Sequence, residues 1–271
     1  MAANYVFTLT AGRTGTAWLA AMLGANLDDC EAHHEFLGWD CFGVDTPDLS
    51  HLTLFNSRGV CEEVRGFWRR KLARVAACPR RWYVETAHVL MKAGLVEHLD
   101  LIADRGRIHL VILGRDLVST VASYSQRGDF SNKGNQWLWY LDPDYPQNIL
   151  NPVPFKQHGV MGIRVWYWME IEARQAYYAA LLADRAGVNL LRCTLLEVTR
   201  EPGARRLLRG LGCEPAQVAL PPPLNVTHQA RQLGERELAI IAELCRRFPD
   251  DPRALGAEHY RRGRRLGAAR D

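Results

Sequence analysis

Residues 5–19 read Tyr-Val-Phe-Thr-Leu-Thr-Ala-Gly-Arg-Thr-Gly-Thr-Ala-Trp-Leu: an apolar strand, a Gly/Thr loop carrying one arginine, and the start of a helix. Tyr5 to Leu9 supply the strand, Gly12 and Gly15 permit the tight turn, and Ala17 to Leu23 carry helical apolar spacing. A strand that turns through glycines into a helix N-terminus makes an anion site. Unpaired N–H groups point outward there, and the helix dipole adds partial positive charge. Thr14 and Thr16 add hydroxyls, and Arg13 is the only long cation of the loop. The stretch therefore reads as a cradle for phosphate-like oxygens.

A second stretch sharpens that reading. Residues 107–114, Arg-Ile-His-Leu-Val-Ile-Leu-Gly, form the near-continuous apolar run of a buried parallel strand. Arg115 and Asp116 follow at once, with Asp116 placed to cap a helix over Leu117 to Gln126. Ser119 and Ser123 lie one turn apart, and Arg115 sits at the carboxyl end of the strand, the edge where open α/β sheets bind ligands. Further strands are expected at 31–35, 82–86 and 188–194. Helices are expected at 59–77, 90–103, 161–186, 203–211 and 234–248, and irregular chain over 40–58 and 129–159. This alternation predicts a three-layer α/β fold, a central parallel sheet flanked by helices. One domain spans 1–271, with 129–159 as a lid or acceptor-binding segment.

The first loop resembles a Walker A loop, the P-loop of many nucleotide-binding proteins, but lacks its Gly-Lys-Thr ending. The two stretches together resemble the PAPS-dependent sulfotransferases, and the bacterial, compact members more than the animal cytosolic ones. Arg13, Thr14, Gly15, Thr16, Ala17, Trp18 and Leu19 correspond to that family's 5′-phosphosulfate loop. Arg115 and Ser123, eight positions apart, have the spacing of its 3′-phosphate grip. Arg261, Arg262 and Gly263 match a basic C-terminal segment that folds over the 3′-phosphate in the family; a solvated basic tail is the alternative. The strand 188–194 occupies the place of one that ends Arg-Tyr-Glu-Asp-Leu in the family, from which Cys193 and Thr194 depart. The resemblance implies a P-loop-like fold, PAPS as sulfuryl donor with PAP as product, and a small-molecule or glycan acceptor.

Sulfuryl transfer needs a base near the acceptor and donors for the charge that develops on oxygen. Arg13 and the loop amides are the donors. Glu35, in Ala32-His33-His34-Glu35-Phe36, matches a glutamate that follows the first helix in bacterial relatives, although Phe36 replaces their proline. On an extended chain His33 and Glu35 would share one face and His34 the other. His88, in Tyr83-Val-Glu-Thr-Ala-His88, stands near the family's Lys-Thr-His and is the second candidate base. Trp137, Trp139, Tyr140, Trp166, Tyr167 and Trp168 divide between core packing and an acceptor pocket. A metal is not expected: His33, His34 and Glu35 are consecutive and converge poorly on one ion.

Composition narrows the class. The chain has 271 residues, 48% of them hydrophobic and 24% charged, which suits one ordinary α/β core. Its net charge of +4 suits an anionic cofactor and is too weak to indicate nucleic acid. Seven cysteines without a Cys-x-x-Cys pair, a first strand at the N-terminus and no apolar run of membrane length lead to the expectation of a cytoplasmic protein with no membrane span. Two other functions fit the same loop. One is a P-loop-type kinase or NTPase, which would need magnesium; the other is a non-catalytic nucleotide-binding protein of the same fold.

Overall fold

A computed structural model describes residues 3–131, 139–224, 231–248 and 251–268. Five strands, β1 (Ala3–Leu9), β2 (Cys30–His33), β3 (Trp82–Glu85), β4 (Gly106–Gly114) and β5 (Val188–Thr194), form one parallel sheet ordered β2-β3-β1-β4-β5. The helices are α1 (Thr16–Asn26), α2 (Leu49–Arg58), α3 (Glu62–Ala76), α4 (Val89–Lys92), α5 (Leu117–Arg127), α6 (Val153–Lys156), α7 (Gly159–Leu182), α8 (Leu195–Val198), α9 (Glu201–Gly210), α10 (Glu235–Arg247) and α11 (Pro252–Arg261).

Strand alternation builds the layers. Tyr5, Phe7 and Leu9 of β1 join Ile108, Leu110 and Ile112 of β4 on one face, under Phe67, Trp68, Tyr124, Trp166 and Tyr167. Val6, Val84, Val111 and Leu113 point to the other face, covered by Trp18, Leu19 and Leu23 of α1 and by Leu207 and Leu208 of α9. The chain leaves β1 toward β3 and β2, and leaves β4 toward β5. The crevice at the carboxyl ends of β1 and β4 is therefore where the strand order reverses.

Two expectations fail locally. Residues 40–58 are not wholly irregular, since α2 occupies 49–58. Its N-cap Asp48 accepts from the His51 amide at 3.1 Å, while the Asp48 amide donates to His51 Nδ1 at 3.3 Å. This is a capping box with histidine in place of the usual Glu or Gln, so its sequence signature was hidden. The expected helix over 90–103 is broken instead. Gly94 takes φ +90°, and a Cβ there would stand 2.7 Å from the Phe55 ring; a 3₁₀ turn over Val96–Leu101 follows.

The C-terminal chain is tied to the body. The Leu266 amide donates to Tyr177 OH at 3.1 Å, the Gly267 amide to Gln147 Oε1 at 2.5 Å, and the Val60 amide to Gly267 O at 2.8 Å. Glu97 lies under this strap. Tyr178 OH donates to its Oε1 at 2.9 Å, while Oε2 is buried with no hydrogen-bond partner among the described residues. Burial pushes the Glu97 carboxyl up to about 7, outweighing Tyr178 and Arg174, which pull it down. The folded state thus keeps a proton that the unfolded chain releases near its ordinary 4.5. The stability this gives is complete below that value and is lost as pH rises through about 7. Glu97→Gln should flatten the pH dependence of Tm between pH 5 and 8. It should stabilise the protein at pH 8 by on the order of 2 kcal/mol, discounted because the residue is partly exposed. An unchanged pH slope contradicts this.

Candidate active site

The loop after β1 is wound for anion binding. Gly12, Arg13 and Gly15 take φ of +83°, +58° and +90°. Runs of such left-handed residues turn successive amides inward as a nest. Gly15 is the N-cap of α1 and has no side chain to satisfy the first helical N–H groups. A Cβ on Gly15 would stand 2.3 Å from Leu195 Cδ1 and would have to take φ +90°, so a substitution there displaces Leu195 and strains the backbone. Thr14 turns away from it: its hydroxyl lies 2.5 Å from Thr10 Oγ1, and Thr10 donates to Leu113 O at 2.8 Å, which ties the loop to β4.

The two motifs meet. Arg13 Nε donates to Ser123 Oγ at 3.1 Å, and Arg115 Nη1 donates to Arg13 O at 2.9 Å. Asp116 caps α5 as expected, accepting from the Ser119 amide at 2.8 Å. Trp168 Nε1 donates to Arg115 O at 3.0 Å and fixes the strand end from α7. Ser123 and Arg115 thus hold the arginine of the first loop, and of the two only Arg115 lines a cavity at this edge.

Two cavities open at this edge. The smaller, about 130 Å³, is bounded by Arg13, Gly15, Thr16, Ala17, Trp18 and Arg115, with His34, Leu195 and Leu224 around it. The larger, about 310 Å³, has Arg13, Thr16, His34, Glu35 and His88 at its polar end and Trp139 and Tyr140 on its wall. Leu37 and Thr46 come to it from the chain between β2 and α2, and Asp129 from the 129–159 segment. Arg13, Thr16 and His34 border both cavities. Trp18 also braces the smaller one by donating from Nε1 to Pro221 O at 3.1 Å.

The pairing expected of His33 with Glu35 does not occur. β2 ends at His33, and Glu35 takes φ +47°, so the alternation of an extended strand stops there. His33 instead contacts Glu31 Oε1 at 2.8 Å and packs on Phe36 and Tyr83. Glu35 comes round to the side of His34: its Oε2 lies 3.8 Å from His34 Nε2, and its Oε1 lies 3.6 Å from His88 Nε2. Because Thr86 O can only accept, His34 Nδ1 donates to it at 2.8 Å, which leaves Nε2 of the neutral ring as an acceptor. The two candidate bases therefore flank one wall of the larger cavity.

Three charged groups in or behind this wall were not read from the sequence. Lys92, fully buried, reaches His88 Nδ1 at 2.6 Å; the only trace in the sequence is the four-residue interval between them. Asp129, also fully buried, accepts from Tyr140 OH at 2.8 Å, and burial pushes its carboxyl up. Arg127 lines the same cavity, its Nε 3.6 Å from Asp129 Oδ1.

Other residues are placed elsewhere. Arg261 and Arg262 are exposed and pair with Glu258 on α11, and neither they nor Gly263 lines either cavity. Gly256 of α11 packs on the Ala173 backbone of α7, so this segment runs along α7 rather than over the crevice. Trp166 and Tyr167 are core, Trp139 and Tyr140 line the larger cavity, and Trp137 lies outside the described residues. Thr194, where the strand end departs from the sulfotransferase pattern, caps α8 in a capping box with Glu197. No described helix is long and apolar enough to cross a membrane.

No protein-family model matches the chain, and no curated protein matches it. A solved structure, a sulfotransferase from Alicyclobacillus acidocaldarius, is similar over 99% of each chain at 15% sequence identity, with a TM-score of 0.47.

Proposed function

We propose that the chain is a sulfotransferase that moves the sulfuryl group of PAPS to a hydroxyl or amine of a small-molecule or glycan acceptor. The observation that carries this reading is the meeting of an anion cradle and a second, base-lined cavity at Arg13, Thr16 and His34. The smaller cavity suits a phosphosulfate group: open α1 amides, the Thr16 hydroxyl and two arginines converge on it. When bound, PAPS supplies an activated sulfuryl group, and the residues around it do the rest. Arg13 and the loop amides hold charged oxygens, and Arg115 and Ser123 fix Arg13 and offer a grip on the second phosphate. Glu35 takes the acceptor proton from within the larger cavity, where His88 orients its carboxylate.

The loop has no Walker A lysine for a β/γ-phosphate, so adenosine 3′,5′-bisphosphate, not ATP with magnesium, is the expected ligand. A saturating dose near 100 times Kd stabilises by about 2.7 kcal/mol. For a chain of this size that raises Tm by roughly 5–10 °C. Adenosine 3′,5′-bisphosphate should give this shift without magnesium, and ATP with magnesium should not. The reverse ranking would replace the sulfotransferase reading with the kinase one.

A further inference from the structure

We infer that Lys92 is a positioning residue: its buried ammonium holds His88 in the tautomer with hydrogen on Nε2, so that His88 donates to Glu35 and leaves that carboxylate as the base. The catalytic meaning of this rests on the sulfotransferase reading; the tautomer itself does not.

The hydrogen-bond inventory carries the inference. Among the described residues Lys92 Nζ has three hydrogen-bond neighbours: His88 Nδ1 at 2.6 Å, Tyr167 OH at 2.8 Å, and Trp139 O. Trp139 O can only accept. Tyr167 spends its own hydrogen on Ala11 O at 2.9 Å, which leaves its oxygen to accept. An ammonium has three hydrogens and no lone pair, so each neighbour takes one and His88 Nδ1 is an acceptor. The neutral ring then carries its hydrogen on Nε2, which faces Glu35 Oε1 at 3.6 Å, a separation that a bound acceptor can tighten.

Burial works against the charged amine, while two ring faces and the geometry at His88 work for it. The rings of Tyr140 and Tyr167 lie 5.2 and 5.3 Å from Nζ, within cation–π range. Burial lowers the Lys92 pKa well below its usual value and Arg174 adds to this, while the Glu35 carboxylate raises it. A neutral amine would accept from His88 Nδ1–H instead. That would set the Nε2 lone pair against the Glu35 carboxylate, two acceptors facing each other. Burial, then Lys92 and the more distant His34, Arg127 and Arg13, hold the His88 pKa well below 6.5, so the ring stays neutral and its tautomer is a definite state.

The test is nitrogen NMR of histidine-labelled protein, with the His88 signals assigned by their loss in His88→Asn. Wild type should show Nε2 protonated and Nδ1 as the hydrogen-bonded acceptor. Lys92→Met should lose that preference and lower kcat at least tenfold, with adenosine bisphosphate affinity kept within twofold. A wild-type ring protonated on Nδ1 overturns the inference, and so does an unchanged Nε2–H tautomer in folded Lys92→Met. If Lys92→Met does not fold, the wild-type spectrum decides. Absence of any nucleotide binding would overturn the function proposed above and leave the tautomer result standing.

Discussion

Glu35→Gln lowers kcat for sulfuryl transfer by about 10²–10⁴ while leaving the affinity for adenosine 3′,5′-bisphosphate within twofold. The amide keeps the shape of the side chain and removes the carboxylate that His88 Nε2 approaches at 3.6 Å. Glu35 borders the larger cavity and not the smaller one, so its loss separates chemistry from donor binding. His88→Asn should also slow turnover, but less than Glu35→Gln, because His88 orients the base rather than replacing it. Steady-state kinetics on any acceptor found active, paired with calorimetry, make the comparison. Full turnover in Glu35→Gln would remove Glu35 as the base and return the role to a histidine.

Arg174→Met destabilises the protein by about 3–5 kcal/mol, the usual cost of leaving one member of a buried ion pair behind. Arg174 and Glu170 are both fully buried and meet at 2.7 Å, one turn apart on α7. Arg174 also donates to Asn56 Oδ1 at 2.8 Å and Asn148 Oδ1 at 3.2 Å. Glu170 accepts from the amides of Ile149 and Leu150, the latter at 2.8 Å. The pair therefore pins residues 147–150 to the core, and through them the stretch that follows Trp139 and Tyr140 of the larger cavity. In a chain of this length the loss corresponds to a fall in Tm of roughly 6–20 °C. The double variant Arg174→Met with Glu170→Leu should lose much less than the sum of the single losses, because it removes both charges together. A single-variant loss under about 1 kcal/mol would mean that the pair is not desolvated in solution.

The contrast between these two sites marks what the sequence makes legible. The sheet was readable because buried parallel strands announce themselves as apolar runs, and β1 and β4 carry the two strongest. The loop after β1 was readable because glycine placement and a helix start are local. Glu35 was legible as a residue but not as a geometry, since a left-handed turn at a non-glycine position leaves no mark in composition. α2 was missed because histidine closes its capping box. Lys92, Asp129, Glu170 and Arg174 were not legible as functional or structural charges: Lys92 with His88 and Arg174 with Glu170 are local pairs, but their burial and partners as distant as Asn56, 118 residues from Arg174, arise only in the fold. The basic C-terminal run shows how a sequence pattern and a local pairing can diverge. Arg261 and Arg262 fit a phosphate-binding pattern in sequence but pair with Glu258 on their own helix.

The central claim is that the β1 and β4 loops together form a site for a 3′,5′-bisphosphorylated nucleotide. Calorimetric titration of adenosine 3′,5′-bisphosphate without magnesium, into wild type and Arg115→Ala, tests it most directly. The account predicts micromolar or tighter binding to wild type, weakened at least tenfold by the substitution, since Arg115 both faces the smaller cavity and holds the Arg13 carbonyl at 2.9 Å. No binding to wild type, or binding indifferent to Arg115 and matched by ATP with magnesium, would contradict it.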